Sequence, residues 1–130
     1  MITVKATREG LLGGKTSTGY LVDATVPFVA LPSTAALRQW VRVRNPKTGK
    51  SIRALVLDVG PWNEHDQAYV FQGHTLGDVI VPDFAAIRPA AESGTDTRGR
   101  KTNGAGIDLG ERVWQALGMV DNGDVEWEFV

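Results

Sequence analysis

The stretch Trp40-Val41-Arg42-Val43-Arg44-Asn45-Pro46-Lys47-Thr48-Gly49, continued by Ser51 to Asp58, decides the fold class. Val41 and Val43 fall on one face and Arg42 and Arg44 on the other, the period-two pattern of a half-buried strand. Pro46-Lys47-Thr48-Gly49 is a turn signal. Ser51 to Asp58 is then the return strand of a β-hairpin, and it delivers a carboxylate to its own end, just before Val59-Gly60-Pro61.

Outward from the hairpin the chain keeps a β character. Ile2 to Arg8 is a first strand, and Gly10 to Gly19 a glycine-rich polar loop. Leu21 to Leu31 is apolar and β-branched but broken by Pro27, which predicts an edge or bulged strand. Ser33 to Arg38 suits one helical turn capped by Ser33. Gly60 to Ala105 is too long for a plain connection in a compact domain. It carries apolar islands at Ala68–Phe71, Val79–Val81 and Phe84–Ile87, then a polar tract, Glu92 to Asn103, expected to be a loose tail. Leu109 to Leu117 has helical spacing, and Gly118 suits its stop. In Asp124 to Val130, Val125, Trp127 and Phe129 alternate with Glu126 and Glu128, a final half-buried strand. Strands, one late helix and a last strand favour a small β-barrel over a doubly wound sheet.

With 130 residues the chain is read as one domain, 1–130, and its 42% hydrophobic and 22% charged content is that of an ordinary globular protein. A net charge of -1 offers no electrostatic case for nucleic acid or an anionic membrane. The lack of cysteine excludes disulfides and thiolate metal sites. No apolar run approaches the roughly 20 residues of a bilayer span, and no leader is read at the start. Glu64-His65-Asp66 with His74 matches no metal-site spacing, and no phosphate loop or nucleophile elbow is present. Neither a metal nor another cofactor is expected.

Two aspartates stand out. Asp58 ends an apolar strand, where partial burial would hold its proton and suit it to acid–base work. An Asp before Gly-Pro also suits a turn that accepts backbone N–H groups. Asp108, in Gly106-Ile107-Asp108-Leu109-Gly110, precedes the helix. It suits a ligand contact, but Asp108-x-x-Glu111 is also a capping-box pattern, and Gly110 is a second candidate cap. Asp23 is a strand-end or turn carboxylate. Trp62, beside the Asp58 turn, suits stacking on a sugar ring or covering the barrel mouth. Tyr20 and Tyr69 are further candidate groove residues. Trp114 and Trp127 are expected in the core, and Trp40 suits either setting.

Several segments, in order, resemble the double-psi β-barrel domain of rare lipoprotein A-like lytic transglycosylases, a barrel shared with expansins, barwin-like proteins and family 45 endoglucanases. They are Lys15-Thr16-Ser17-Thr18-Gly19 with Asp23, Ala30-Leu31-Pro32, Val41 to Asn45 with Thr48-Gly49-Lys50, Asp58-Val59-Gly60-Pro61, Gly106-Ile107-Asp108-Leu109, and Ala116-Leu117-Gly118-Met119. The resemblance covers most of the chain except Trp62 to Ala105. It implies a mainly β, six-stranded double-psi barrel with one late helix and an inserted loop over about residues 60–105. It also implies peptidoglycan or another β-linked glycan as ligand and puts the family's acidic positions on Asp58, Asp108 and Asp23; with the residue readings above, Asp58 and Asp108 are the candidate catalytic residues and Trp62, Asp23, Tyr20 and Tyr69 the candidate substrate contacts. A cell-envelope or phage-associated setting goes with it. The sequence departs from the enzymes at Tyr20, where they carry Glu, at Phe28, where they carry His, and at Val59, where they carry Arg.

Three functions follow as expectations. One is lytic cleavage of glycan strands, with a single Asp acting as acid and then as base. Glu64, Asp66, Asp78 or Asp83 of the insertion would replace the missing polar groups. Another is an expansin-like module that binds glycan and breaks no bond. The last is a structural role in a phage particle or secretion apparatus.

Overall fold

The structure is a computed structural model that describes residues 1–10, 13–82 and 87–130. Six strands close a barrel: β1 (Ile2–Arg8), β2 (Phe28–Leu31), β3 (Trp40–Arg44), β4 (Ser51–Val59), β7 (Ile107–Leu109) and β8 (Gly123–Phe129). Around the barrel the order is β1-β7-β2-β4-β3-β8. Two parallel pairs, β1 with β7 and β2 with β4, are joined by the antiparallel contact of β2 with β7. This crossed pairing is the double-psi arrangement. A short helix α1 (Gln67–Val70) and a hairpin, β5 (Thr75–Leu76) and β6 (Val79–Ile80), belong to the insertion, and α2 (Glu111–Ala116) is the late helix. No helix among the described residues is long and apolar enough to cross a membrane.

Alternation builds the core. Val4, Ala6, Val41, Val43, Val56, Ile107, Leu109 and Val125 point inward and are essentially inaccessible. Each large aliphatic side chain among them contributes about 1.5–3 kcal/mol by leaving water. The predicted hairpin forms, with Trp40 opposite Leu55, Arg42 opposite Arg53 and Arg44 opposite Ser51. A smaller cluster of Val22, Phe28 and Leu57, with Tyr20, Val26 and Leu55 against it, packs outside the barrel wall between β2, β4 and the residues preceding β2.

Several sequence expectations are corrected. Leu21 to Leu31 is not one strand: only Phe28–Leu31 forms a strand, and it is not an edge but a central strand between β7 and β4, buried on both faces, with the irregularity of a bulged strand at Val29/Ala30. Asp23 ends any earlier strand, because its Oδ1 accepts the N–H groups of Thr25 and Val26 at 2.7 and 3.2 Å, a local turn that competes with pairing. Ser33 precedes a 3-10 turn, Thr34–Ala36, without a side-chain cap bond, and its buried Oγ has no partner among the described residues. Asp108 is not a helix cap. It lies in β7, and Gly110 holds the cap position of α2.

The polar tract is pinned rather than loose. Asp96 Oδ1 accepts the N–H groups of Arg98 and Arg100 at 2.9 and 2.8 Å, Asn63 Oδ1 accepts that of Thr97 at 3.1 Å, and Thr95 bridges to Lys101. The island at Phe84–Ile87 and the carboxylate of Asp83 lie, apart from Ile87, outside the described residues.

Candidate functional site

The topology brings the two candidate aspartates into one row. Ala30 on β2 is the register partner of Asp58 on β4 and also of Asp108 on β7. Thr7 on β1 continues the row as the partner of Asp108. A register shift between Val29 and Ala30 opposes Ala30 to Asp58 instead of Leu57. Such a bulge re-aims a side chain relative to its strand. The strand neighbours of Thr7, Ala30 and Asp108, namely Ala6, Val29, Leu31, Ile107 and Leu109, belong to the core, so these three lie on the outer face of the barrel, and the register shift brings Asp58 beside Ala30 there. Two strand spacings of ~4.8 Å put the Asp58 and Asp108 backbones about 10 Å apart. Ala30, with only a methyl side chain, is the residue between them in the register.

Each carboxylate is held differently. Asp58 Oδ1 accepts the Ser17 N–H at 3.0 Å, the Ser17 hydroxyl at 2.6 Å and its neighbour Val59's N–H at 2.9 Å. Thr18 Oγ1 donates to the Leu57 carbonyl at 2.9 Å, so the glycine-rich loop is stitched over the end of β4. The three bonds to Asp58 all fall on Oδ1 and leave Oδ2 clear of the loop. Asp108 Oδ1 accepts the Thr7 hydroxyl. Its other oxygen faces Gly60, whose φ of 142° suits glycine and where an added Cβ would stand 3.7 Å from Oδ2.

Glu9, absent from the residues chosen by sequence, completes the group. Its N–H bonds to the Leu109 carbonyl at 2.7 Å, which prolongs the β1–β7 pairing past Arg8. It therefore sits one pleat beyond Thr7 on the same face, and its carboxyl lies within hydrogen-bonding reach of Asp58. Burial, then the charges of Asp108 and Asp58, then that shared hydrogen bond push Glu9 up to about 7. Burial first, with the Asp58 charge adding, pushes Asp108 up to about 6 against the opposing hydrogen bond from Thr7. Nearby like charges resist joint ionisation, so Glu9 and Asp108 both hold their protons toward neutral pH, and their titrations are coupled. The signal for Glu9 in the sequence is its spacing: Thr7 and Glu9 are alternate residues at the end of a strand.

The remaining candidates are held by contacts of their own. Tyr69 is fully buried, its hydroxyl donating to the Gly106 carbonyl at 2.9 Å, and it lies at the base of a separate hollow beside Ile2, Thr3 and Trp127. Tyr20 donates to Asp23 Oδ2 at 3.1 Å, while Asp23 Oδ1 is occupied by the Thr25–Val26 turn. The Trp62 indole N–H bonds to Asn103 Oδ1 at 3.0 Å and its ring lies 5.9 Å from the Arg100 guanidinium, which ties it into the insertion. Trp114 and Trp127 are buried as expected, and Trp40 is about half exposed. Glu111 pairs with Arg8 in a two-pronged contact at 2.5 and 2.7 Å, and this holds its carboxyl below the usual range. No group of three potential metal ligands occurs among the described residues.

A family model described as "Domain of unknown function (DUF8814)" matches residues 1–128. No curated protein matches the chain by sequence. Among solved structures, the crystal structure of cerato-platanin 3 from M. perniciosa is similar to it, with a TM-score of 0.52 and 11% identity, over 99% of this chain and 94% of that one. At that identity the likeness is one of fold.

Proposed function

The chain belongs to the family described as Domain of unknown function (DUF8814), whose description names no activity, and we propose from the site itself that it is a glycan-binding module of expansin type. In this reading Asp58, Asp108 and Glu9 grip sugar hydroxyls on the outer face of the barrel and break no bond. The observation that carries it is the row Asp58–Ala30–Asp108: two aspartates whose backbones stand about 10 Å apart across strands of ~4.8 Å spacing, with only alanine between them in the register. Carboxylates accept charge-assisted hydrogen bonds from hydroxyls, and a sugar ring offers several at such spacings. Ser17 and Val59 occupy Asp58 Oδ1, so a sugar hydroxyl would meet Oδ2, on the side shared with Glu9. Peptidoglycan or another β-linked glycan is the ligand class. The Tyr20, Phe28 and Val59 departures favour binding over cleavage.

A second reading, lytic cleavage, is favoured by one observation. Glu9, raised to about 7, keeps a proton on the site near neutrality. A carboxylic acid there would protonate the glycosidic oxygen as the bond to the anomeric carbon breaks. As a carboxylate it would then take the proton from the sugar's own hydroxyl as that oxygen closes the ring.

Sedimentation of the protein with purified peptidoglycan, followed by mass spectrometry of the soluble fraction, tests both. Retention of the wild type, loss of retention in Asp58→Asn and no released fragment is the expected result. Release of 1,6-anhydro-muropeptides by the wild type and not by Glu9→Gln would replace binding with cleavage. Neither retention nor release would remove both and leave the structural or assembly role.

A further inference from the structure

A second surface lies around the barrel from the carboxylate row. Between Asp23 and Asp58 the sequence contains no acidic residue, yet it carries Arg38, Arg42, Arg44, Lys47, Lys50 and Arg53. The net charge of -1 therefore hides a strong segregation. The hairpin β3–β4 sets Arg42 directly opposite Arg53. Both are exposed on the outer face, since the intervening Val41, Val43 and Ala54 are fully buried. Like charges facing each other across an antiparallel pair destabilise the sheet. The neighbouring β8 offsets little of this. Glu126 binds Arg44 at 2.7 Å, but Glu128 comes only to 4.0 Å of Arg42, and Arg53 has no acidic partner among the described residues. Arg53 instead lies 5.9 Å over the ring of Trp40, which is 48% exposed. Two cations held together at a cost to the sheet, beside an exposed indole, form a surface complementary to spaced anions on a flat, partly apolar scaffold.

We infer that the Trp40–Arg42–Arg53 face binds an anionic glycan, with the arginines reading one acidic group per repeating unit and Trp40 stacking on a ring. The choice of a glycan rests on the reading given above. A nucleic acid fits less well: its charge density is far higher, one phosphate per ~1.7 Å of duplex axis, and β4 carries Asp58 on the same outer face. From Arg53 to Asp58 is five residues of strand, roughly 17 Å at ~3.3 Å per residue, so one extended chain can span both surfaces.

The test is affinity electrophoresis of the full chain in gels containing polygalacturonate, the same polymer fully methyl-esterified, phosphorylated dextran, or a poly-dT oligonucleotide. Retardation is expected in the acidic glycans, falling as salt rises, and little in the ester. Polygalacturonate against phosphorylated dextran distinguishes carboxylate from phosphate as the anion. Arg42→Gln and Arg53→Gln should each weaken binding to the acidic polymer about tenfold, the effect of removing one charge-assisted hydrogen bond. Both should leave the melting temperature unchanged or higher, since the like-charge pair is relieved. Equal binding of the ester, unchanged binding in both variants, or tighter binding to poly-dT would overturn the inference. Retention on peptidoglycan through Asp58 without retardation in either acidic glycan would reject this surface and leave the glycan reading intact. Loss of both would reject the two together.

Discussion

The indole N–H of Trp127 donates to the Tyr69 hydroxyl at 2.7 Å inside the barrel. That hydroxyl bonds onward to the Gly106 carbonyl at 2.9 Å. One side chain from the insertion thus ties together the last strand and the segment that leads into β7. Both partners are buried, so removing the hydroxyl leaves an indole N–H and a carbonyl unsatisfied, at a cost of about 1–3 kcal/mol. Tyr69→Phe is therefore expected to lower the urea midpoint without changing the slope of the transition. An unchanged midpoint would mean that the insertion is not energetically part of the barrel.

The carboxylate group makes stability depend on pH with a defined sign. Glu9 and Asp108 hold protons in the folded state to about 7 and about 6, against 4.5 and 3.8 for the free side chains. Between those limits the folded state binds more protons than the unfolded one, so their contribution to stability falls as pH rises from about 4 to about 7 and levels off above that. Glu111, held low by Arg8, works in the opposite direction at acid pH, so the difference between wild type and a Glu9 variant isolates the site. Glu9→Gln should stabilise the protein at pH 8 by on the order of 1–2 kcal/mol after solvent screening, and hardly at pH 4. Thermal melts of both proteins across that range check it. A pH-independent difference would show that Glu9 is not coupled to the two aspartates.

How much of this was legible in the sequence depends on the range of the interaction. The hairpin of Trp40 to Asp58 and the first strand were readable because alternation and a turn are local signals. Strand β2 was not: its four residues are buried on both faces by partners from distant parts of the chain, so Phe28 to Leu31 shows no alternation. Asp108 has two local readings, cap or strand. Pairing with Thr7, 101 residues away, decides between them. The two aspartates were identifiable from their places at element ends. Their alignment on either side of Ala30, and Glu9 beside them, follow from barrel closure.

Ser17 is the residue that orients Asp58. Its N–H and hydroxyl both donate to Oδ1, so Oδ2 is directed away from the loop. Ser17→Ala keeps the backbone bond and removes the hydroxyl, which should cost about 1 kcal/mol of orientation and weaken glycan retention roughly fivefold. That effect should disappear in the Asp58→Asn background, because the two changes act on one contact. Additive effects in the double variant would mean that Ser17 meets the ligand on its own account.

Gly110 sets how closely α2 approaches β2. Its φ of -61° is open to any residue, so the requirement for glycine there is one of space. A Cβ would stand 2.6 Å from both Phe28 Cδ1 and Cε1 and 2.8 Å from the Phe28 carbonyl oxygen. Phe28 anchors the outer cluster with Val22 and Leu57, next to Asp58, so the ring can yield only by disturbing the wall under the carboxylate row. Gly110→Ala is expected to destabilise the fold by about 1–3 kcal/mol through overpacking. Phe28→Leu should destabilise alone through a cavity, yet recover part of the Gly110→Ala deficit when combined with it, because the ring edge is one of the clashing groups. Chemical denaturation of the two single variants and the double gives the coupling directly. Strict additivity would show that the carbonyl contact, not the ring, forbids a side chain at position 110.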